Sequence, residues 1–363
     1  MNDDAVYLVA ARRTPIGSFL GSFAEVSAPQ LGATALRAAL ADARLEASRI
    51  DEVFFGNVLS AGIGQAPARQ AALAAGLPPS VPTTTVSKVC GSGLQAVILG
   101  ARAIAAGDAS IVATGGMESM SRVPHYLTTS RTGQKMGDGK LVDGMIFDGL
   151  WDPYQNHHMG EAGELCAKTH DLSREAQDEF ARESYRRARA AQESGHFQAE
   201  IAPVSVPQRK GDALVVSVDE EPSRGDPSKF AALRPAFQKD GTITAANASS
   251  INDGAAAVIL ASGRQVKALG LSPLARIVAS AAHAQEPEWF TTAPAPAIEK
   301  TLKKAGLGVN DVDLFEVNEA FSCVTLACSR LAGLDLERVN VHGGAVALGH
   351  PIGASGARIL TTL

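Results

Sequence analysis

Short apolar runs alternate along this chain with longer stretches whose apolar residues recur every three or four positions. Residues 7–10, 52–56 and 110–114 read as buried strands, and the alanine-rich stretch 30–44 has the spacing of an amphipathic helix. Leu94, Val97, Ile98, Ala101 and Ile104 repeat that spacing behind Cys90-Gly-Ser-Gly93, and Gly107-Asp108 then leads into the strand at Ser110. Strand and helix in alternation predict an α/β fold with a mostly parallel sheet and crossover helices.

The pattern breaks at Ser121. Eight glycines and aspartates fall between Gly133 and Gly149 with no clear period, so residues 121–160 read as a long ordered insertion. A helix follows, with Ser173 as N-cap, Glu175 in its first turn and Gly195 as its stop. Its Arg182, Arg186, Arg187 and Arg189 read as a solvated face. After a polar stretch over 211–229, Asn252-Asp253-Gly254 reads as a turn into a buried strand over 255–260, where the α/β texture resumes.

One helix start occurs twice. Gly353-Ala-Ser-Gly356, followed by Ala357, Ile359 and Leu360, repeats the glycine-serine opening at Cys90-Gly-Ser-Gly93. In the first copy Gly116, past the following strand, lies 23 positions after Gly93 (116 − 93); in the second, 7 residues follow Gly356 (363 − 356). The comparison predicts a final βαβ unit that is cut short.

Composition narrows the function classes. With 363 residues, 45% apolar and 20% charged, the chain has the make-up of an ordinary α/β protein with room for two domains. A net charge of −5 argues against a nucleic-acid binder, which carries a basic face. The best apolar stretch, 95–114, is interrupted by Arg102 and Asp108, so no membrane span is expected. The acidic start Met1-Asn-Asp-Asp4 resembles neither a signal nor a transit peptide, which points to the cytoplasm. Four cysteines at these spacings make neither a disulfide framework nor a zinc site, and the adjacent His157 and His158 lack a further ligand at metal spacing. No metal and no cofactor are expected.

Three positions have the chemistry of a site. Cys90 lies between a strand-like segment and a helix start, where the dipole and free N–H groups favour thiolate; the alternative is a small buried hydrophobe. Cys166, Cys323 and Cys328 lie in apolar helical settings and read as core. His350, between Gly349 and Pro351, is placed for general-base work or for polarising a carbonyl, the alternative being a loop histidine satisfied by backbone. Asn318, after the strand-like Leu314-Phe-Glu-Val317, sits where α/β sheets bind ligands; it suits an oxyanion or a water, or else a helix N-cap.

Taken in order, Val89-Cys-Gly-Ser-Gly93, Gly115-Gly-Met-Glu-Ser-Met120, Asn247-Ala-Ser249, Asn318-Glu-Ala-Phe321 and Gly349-His-Pro-Ile-Gly-Ala-Ser-Gly-Ala-Arg358 closely resemble the type II thiolases of the acetyl-CoA acetyltransferase group, over the whole length. The resemblance implies two similar βαβαβαββ domains in a five-layered α-β-α-β-α arrangement: residues 1–120 with 250–271, and 272–363, with 121–249 as a loop domain over coenzyme A. It implies Cys90 as the acyl-accepting nucleophile, His350 as its activator, and Asn318 as the holder of a water that forms an oxyanion hole with His350. Leu150, His158 and Ser249 would contact the pantetheine arm, Ala320 and Phe321 wall the tunnel, and Arg224 lie near the nucleotide. Arg131, Lys135 and Lys140 would help attract the phosphates, the alternative being charged loop residues that are merely solvated.

The substrates implied are acetyl-CoA, acetoacetyl-CoA and CoA, and the assembly a homodimer or homotetramer. The neighbouring possibility is a broad 3-ketoacyl-CoA thiolase of β-oxidation. Thiolases also use a second cysteine, in a Cys-x-Gly-Gly-Gly segment, and residues 1–363 contain no such segment. From that follows the expectation of impaired condensation, or of a CoA-binding protein that acylates Cys90 without condensing.

Overall fold

The computed structural model describes residues 2–363. Its largest sheet is built from β1 (Val6–Arg13), β2 (Glu52–Gly56), β3 (Thr83–Val86), β4 (Ile111–Ser119), β5 (Asn252–Ser262) and β6 (Ala275–Arg276) in the order β6-β1-β5-β4-β2-β3, with Gly17–Ser18 paired to β5. The sheet is mixed rather than mostly parallel. β2 runs parallel to β3 and β4, but β5 returns antiparallel between β1 and β4.

Both faces of the sheet are covered, which explains why its strands read as unbroken apolar runs. On one face Val53, Phe55, Ala113, Met117, Ala257 and Ile259 pack under α1 (Ala28–Asp42) and α2 (Pro67–Ala74). On the other, Val6, Leu8, Val112, Val258 and Leu260 pack with Val97 and Ile104 of α3 (Ser92–Ala106). Each such aliphatic side chain taken from water contributes roughly 1.5–3 kcal/mol before the entropy of ordering it.

α3 does not bury the stripe expected from its large residues. Gly93, Ala96, Val97, Gly100 and Ile104 face inward, and Leu94 and Ile98 are only half-buried. The helix sits too close for longer side chains: a Cβ on Gly100 would meet Thr114 Cγ2 at 2.5 Å, and one on Gly93 would meet the Ala357 nitrogen at 2.7 Å. Residues 89–106 do reach spanning length and apolarity, contrary to expectation, and here they form this sheet-covering helix with the turn before it.

The repeated helix start finds its meaning in this packing. α7 (Ile352–Thr362) lies against α3 on the same side of the sheet, and a Cβ on Gly356 would meet the Leu94 nitrogen at 2.5 Å. Two glycine-serine openings side by side bring together the loops that precede them. Those loops carry Cys90 and His350.

The segment 121–251 contains α4 (Met159–Thr169) and α5 (Arg174–Glu193) among short two- and three-residue strands. Ser173 caps α5, accepting from the Ala176 N–H at 3.2 Å, and Gly195 takes a left-handed conformation just beyond it. The arginine face is solvated only in part. Arg182 and Arg186 pair with Glu179 and Glu183. Arg187, however, donates to the carbonyls of Leu336 and Val339, and Arg189 to Pro222 and Gly225, so two of the four fasten the segment to other parts of the chain.

In the second half, α6 (Ser322–Ala332) is buried along most of its length. The strand-like run at Leu314–Val317 makes one parallel bridge, Phe315 to Val339.

Candidate active site

The parallel strands β2 and β3 end at Gly56 and Val86, beside the end of β4 at Ser119. Cys90 lies four residues beyond β3, in a turn strapped by Ser92. The Ser92 hydroxyl donates to the Val89 carbonyl and accepts from the Lys88 N–H, each at 2.7 Å. Val89 is held at φ +46°, a conformation costly for a β-branched residue, which turns the chain sharply enough to present the next side chain.

His350 comes from the other side. Gly349 at φ +102° packs so tightly on Asn252 that a Cβ would sit 2.5 Å from its amide, and the Asn252 Oδ1 accepts the His350 N–H at 2.8 Å. The His350 Nε2 stands 3.2 Å from Cys90 Sγ. Its Nδ1 stands 2.6 Å from the hydroxyl of Ser355, which itself donates to the Pro351 carbonyl at 3.0 Å. Since that hydroxyl spends its proton on Pro351, it accepts from Nδ1–H. That arrangement turns the Nε2 lone pair toward the thiol.

The electrostatics correct one expectation. Burial pushes the Cys90 thiol up to about 12, against a lowering hydrogen bond to its own backbone, with the charge of Glu118 adding to the rise. The helix begins at Ser92, so Cys90 lies outside the first turn, and its apolar surroundings outweigh the dipole. Burial also holds His350 down to about 4, Arg358 adding to the effect. Both groups therefore rest neutral.

Asn318 lies against His350, with Nδ2 3.4 Å from both ring nitrogens, a distance pattern of ring-face contact rather than an in-plane bond. Its Oδ1 is buried without a partner among the described residues, which suits a donor brought by ligand or water. It does not cap α6, which starts four residues later.

Leu150 and Cys90 pack on one apolar cluster formed by Leu59, Met120, Met145 and Ile352. A short hairpin pairs Trp151 with His158, and His158 stacks on Phe237 at 4.8 Å, which meets Phe321 edge-on at 6.2 Å. Ser249 donates its N–H and hydroxyl to the Ala320 carbonyl at 3.0 and 2.9 Å. Trp151, next to Leu150, thus links it to His158, Phe237 bridges His158 to Phe321, and Ala320 joins Phe321 to Ser249. Arg224 does not join them: it ends the turn Glu221–Arg224 with an exposed side chain and no hydrogen bond or ion pair among the described residues. Cys166, Cys323 and Cys328 are fully buried in the core around α4 and α6.

Two working residues carried no role in the sequence. Ser355 stood in the glycine-serine opening as a helix former. Asn252 belonged to a supposed turn, yet Asn252, Asp253 and Gly254 open β5, and all are buried. Tertiary bonds override the turn signal: Asn252 donates to Gly17 and Glu221, and Asp253 accepts from the Ser121 N–H and hydroxyl.

A thiol facing an imidazole at the strand ends of an α/β fold is the arrangement of a cysteine nucleophile beside its base. The chain belongs to the thiolase family: the thiolase N-terminal domain matches residues 6–264 and the thiolase C-terminal domain residues 271–363. It is 54% identical over 359 residues to the cytosolic acetyl-CoA acetyltransferase of Gibberella zeae, covering 99% of this chain and 90% of that protein. It is 52% identical to the acetyl-CoA acetyltransferases of Schizosaccharomyces pombe and Pseudomonas aeruginosa, covering 92% and 91% of those proteins.

Proposed function

We propose that this protein is an acetyl-CoA C-acetyltransferase that interconverts two acetyl-CoA with acetoacetyl-CoA and CoA through an acetyl-Cys90 intermediate. The observation that carries this reading is the 3.2 Å approach of His350 Nε2 to Cys90 Sγ, with Nδ1 committed to Ser355. In thiolysis, Nε2 takes the thiol proton and the thiolate attacks the 3-keto carbon of acetoacetyl-CoA. The bond between C2 and C3 breaks, and the acetyl-CoA enolate leaves, its C2 taking the proton held by His350. The CoA thiol then passes its proton to Nε2 and its sulfur attacks acetyl-Cys90; the second acetyl-CoA departs as the Cys90 thiolate takes that proton back from Nε2. Nε2–H of the protonated His350 and a water held by Asn318 form the oxyanion hole for the enolate, and each such donor contributes roughly 2.7–4 kcal/mol in a dry site.

The pantetheine arm runs past Leu150, His158, Ser249, Ala320 and Phe321, and Arg224 reaches toward the nucleotide from the surface. CoA thioesters are the substrates and no separate cofactor takes part. We further propose a cytosolic homodimer or homotetramer, in keeping with the relative named cytosolic. The buried side chains of Met120, Met145 and Ile352 around Cys90 favour a short acyl group. Steady-state thiolysis of acetoacetyl-CoA against longer 3-ketoacyl-CoAs tests the reading. Preference for the longer chains would assign the protein to β-oxidation instead.

A further inference from the structure

Glu118 is a carboxylate with no exposed surface, on the strand that ends at the site, and among the described residues no cation pairs with it. Its oxygens are instead shared between two chain segments. Oε1 accepts from Asn57 Nδ2 at 2.7 Å and from the Leu59 N–H at 3.2 Å, while Oε2 accepts from the Val58 N–H at 3.1 Å and the Gly353 N–H at 2.9 Å. Asn57 is tied in turn to β3, its N–H donating to the Val86 carbonyl at 3.0 Å.

These segments are the ones that set the site. Residues 57–59 continue β2 and carry Leu59, part of the apolar cluster on which Cys90 packs. Gly353 lies three residues past His350, in the first turn of α7. Backbone fills the space between: a Cβ on Gly116 would lie 2.1 Å from the Gly353 carbonyl, and one on Gly353 would lie 2.6 Å from Oε2 itself. Nothing else in this contact carries charge. A carboxylate presents four acceptor sites in one small group, whereas an amide in its place would turn an N–H₂ against two N–H donors.

We infer that Glu118 is a positioning residue that sets the separation of Cys90 and His350 by clamping the ends of β2 and β4 to the start of α7. It touches neither reacting atom. Above about pH 7, where Glu118 is ionised, its charge adds to the burial that keeps the Cys90 thiol protonated at rest. The inference rests on the proposed acyl-transfer function, because its effect is read in turnover.

The test compares wild type with Glu118→Gln, Glu118→Asp and Gly353→Ala, measuring kcat and KM for acetoacetyl-CoA thiolysis together with urea melts. Displacing an aligned pair by about 1 Å costs on the order of 100-fold in rate, so Glu118→Gln should lose about that much in kcat with KM within roughly threefold. Glu118→Asp keeps the charge and should recover part of the loss. Gly353→Ala pushes on the same clamp from the opposite side and should reproduce it. A folded Glu118→Gln protein with wild-type kcat, or a loss carried by KM, overturns the inference. So does a failure of both Glu118→Gln and Gly353→Ala to fold, which would make Glu118 a residue of the fold alone. Wild-type protein without turnover overturns the acyl-transfer reading as well, whereas wild-type turnover with an unaffected Glu118→Gln overturns this inference alone.

Discussion

Replacing Ser355 by alanine removes one hydroxyl from the interior and leaves the helix intact, since the Ser355 N–H still donates to the Pro351 carbonyl at 3.0 Å. What is lost is the 2.6 Å partner of His350 Nδ1. Two states are then open to the imidazole. It can keep its proton on Nδ1 with no acceptor, at ~1–3 kcal/mol for a buried unsatisfied donor. Or it can move the proton to Nε2, where it faces Cys90 Sγ and can no longer receive the thiol proton. In either case the reactive arrangement loses ~1–3 kcal/mol, or about 5- to 150-fold in kcat at about 1.4 kcal/mol per decade. Ser355 is 2% exposed and is not among the residues proposed to contact CoA, so KM should stay near wild type. Steady-state thiolysis of acetoacetyl-CoA gives both constants. An unchanged kcat would refute the argument that Ser355 fixes the tautomer, and a fall that appears in KM alone would place Ser355 in substrate binding.

Gly93→Ala tests the paired helix starts: its Cβ would lie 2.7 Å from the Ala357 nitrogen and 3.1 Å from the Gly353 carbonyl, backbone atoms that move only with their helix. Overpacking of this kind costs ~1–3 kcal/mol, so the urea midpoint should fall and thiolysis should slow. Glu316, buried beside Arg358, is raised by burial to about 8 from 4.5, with Arg358 opposing the shift. Its folded form therefore binds a proton that the unfolded chain has released, and the associated stability is complete below pH 4.5 and lost as pH rises through about 8. Glu118 and Asp253, raised to about 7 and about 6, act in the same direction. Urea melts across that pH window should show falling stability, with a shallower fall in Glu316→Gln; an equal slope in the two proteins would remove Glu316 from the account.

The α/β pattern was legible because it rests on local signals: apolar runs for β2 and β4, three-to-four spacing for α3, Ser173 and Gly195 around α5. Cys90 and His350 stood out in the sequence because glycines adjoin both and a proline follows His350. What stayed hidden depends on distant partners. Asn252-Asp253-Gly254 has the composition of a turn, and pairing with Gly17–Ser18 and β4, with side-chain bonds to Gly17, Glu221, His350 and Ser121, keeps it extended. The inward face of α3 eluded a search for large apolar residues because close approach selects Gly93 and Gly100. Arg187 and Arg189 looked like solvated charge, since no local signal marks the carbonyls they reach. The state of Cys90 followed from burial, which a position near a helix start does not disclose.

The central claim is that Cys90 carries the acyl group and His350 activates it. Rapid quench after mixing with acetoacetyl-CoA, followed by peptide mass mapping of wild type and His350→Ala, tests it most directly. The account predicts one acetyl group on the peptide containing Cys90 in wild type, formed at least about 100-fold more slowly in His350→Ala, since a positioned base contributes roughly 10²–10⁴-fold. An acetyl group on Cys166, Cys323 or Cys328 instead, or equal rates in the two proteins, would contradict it.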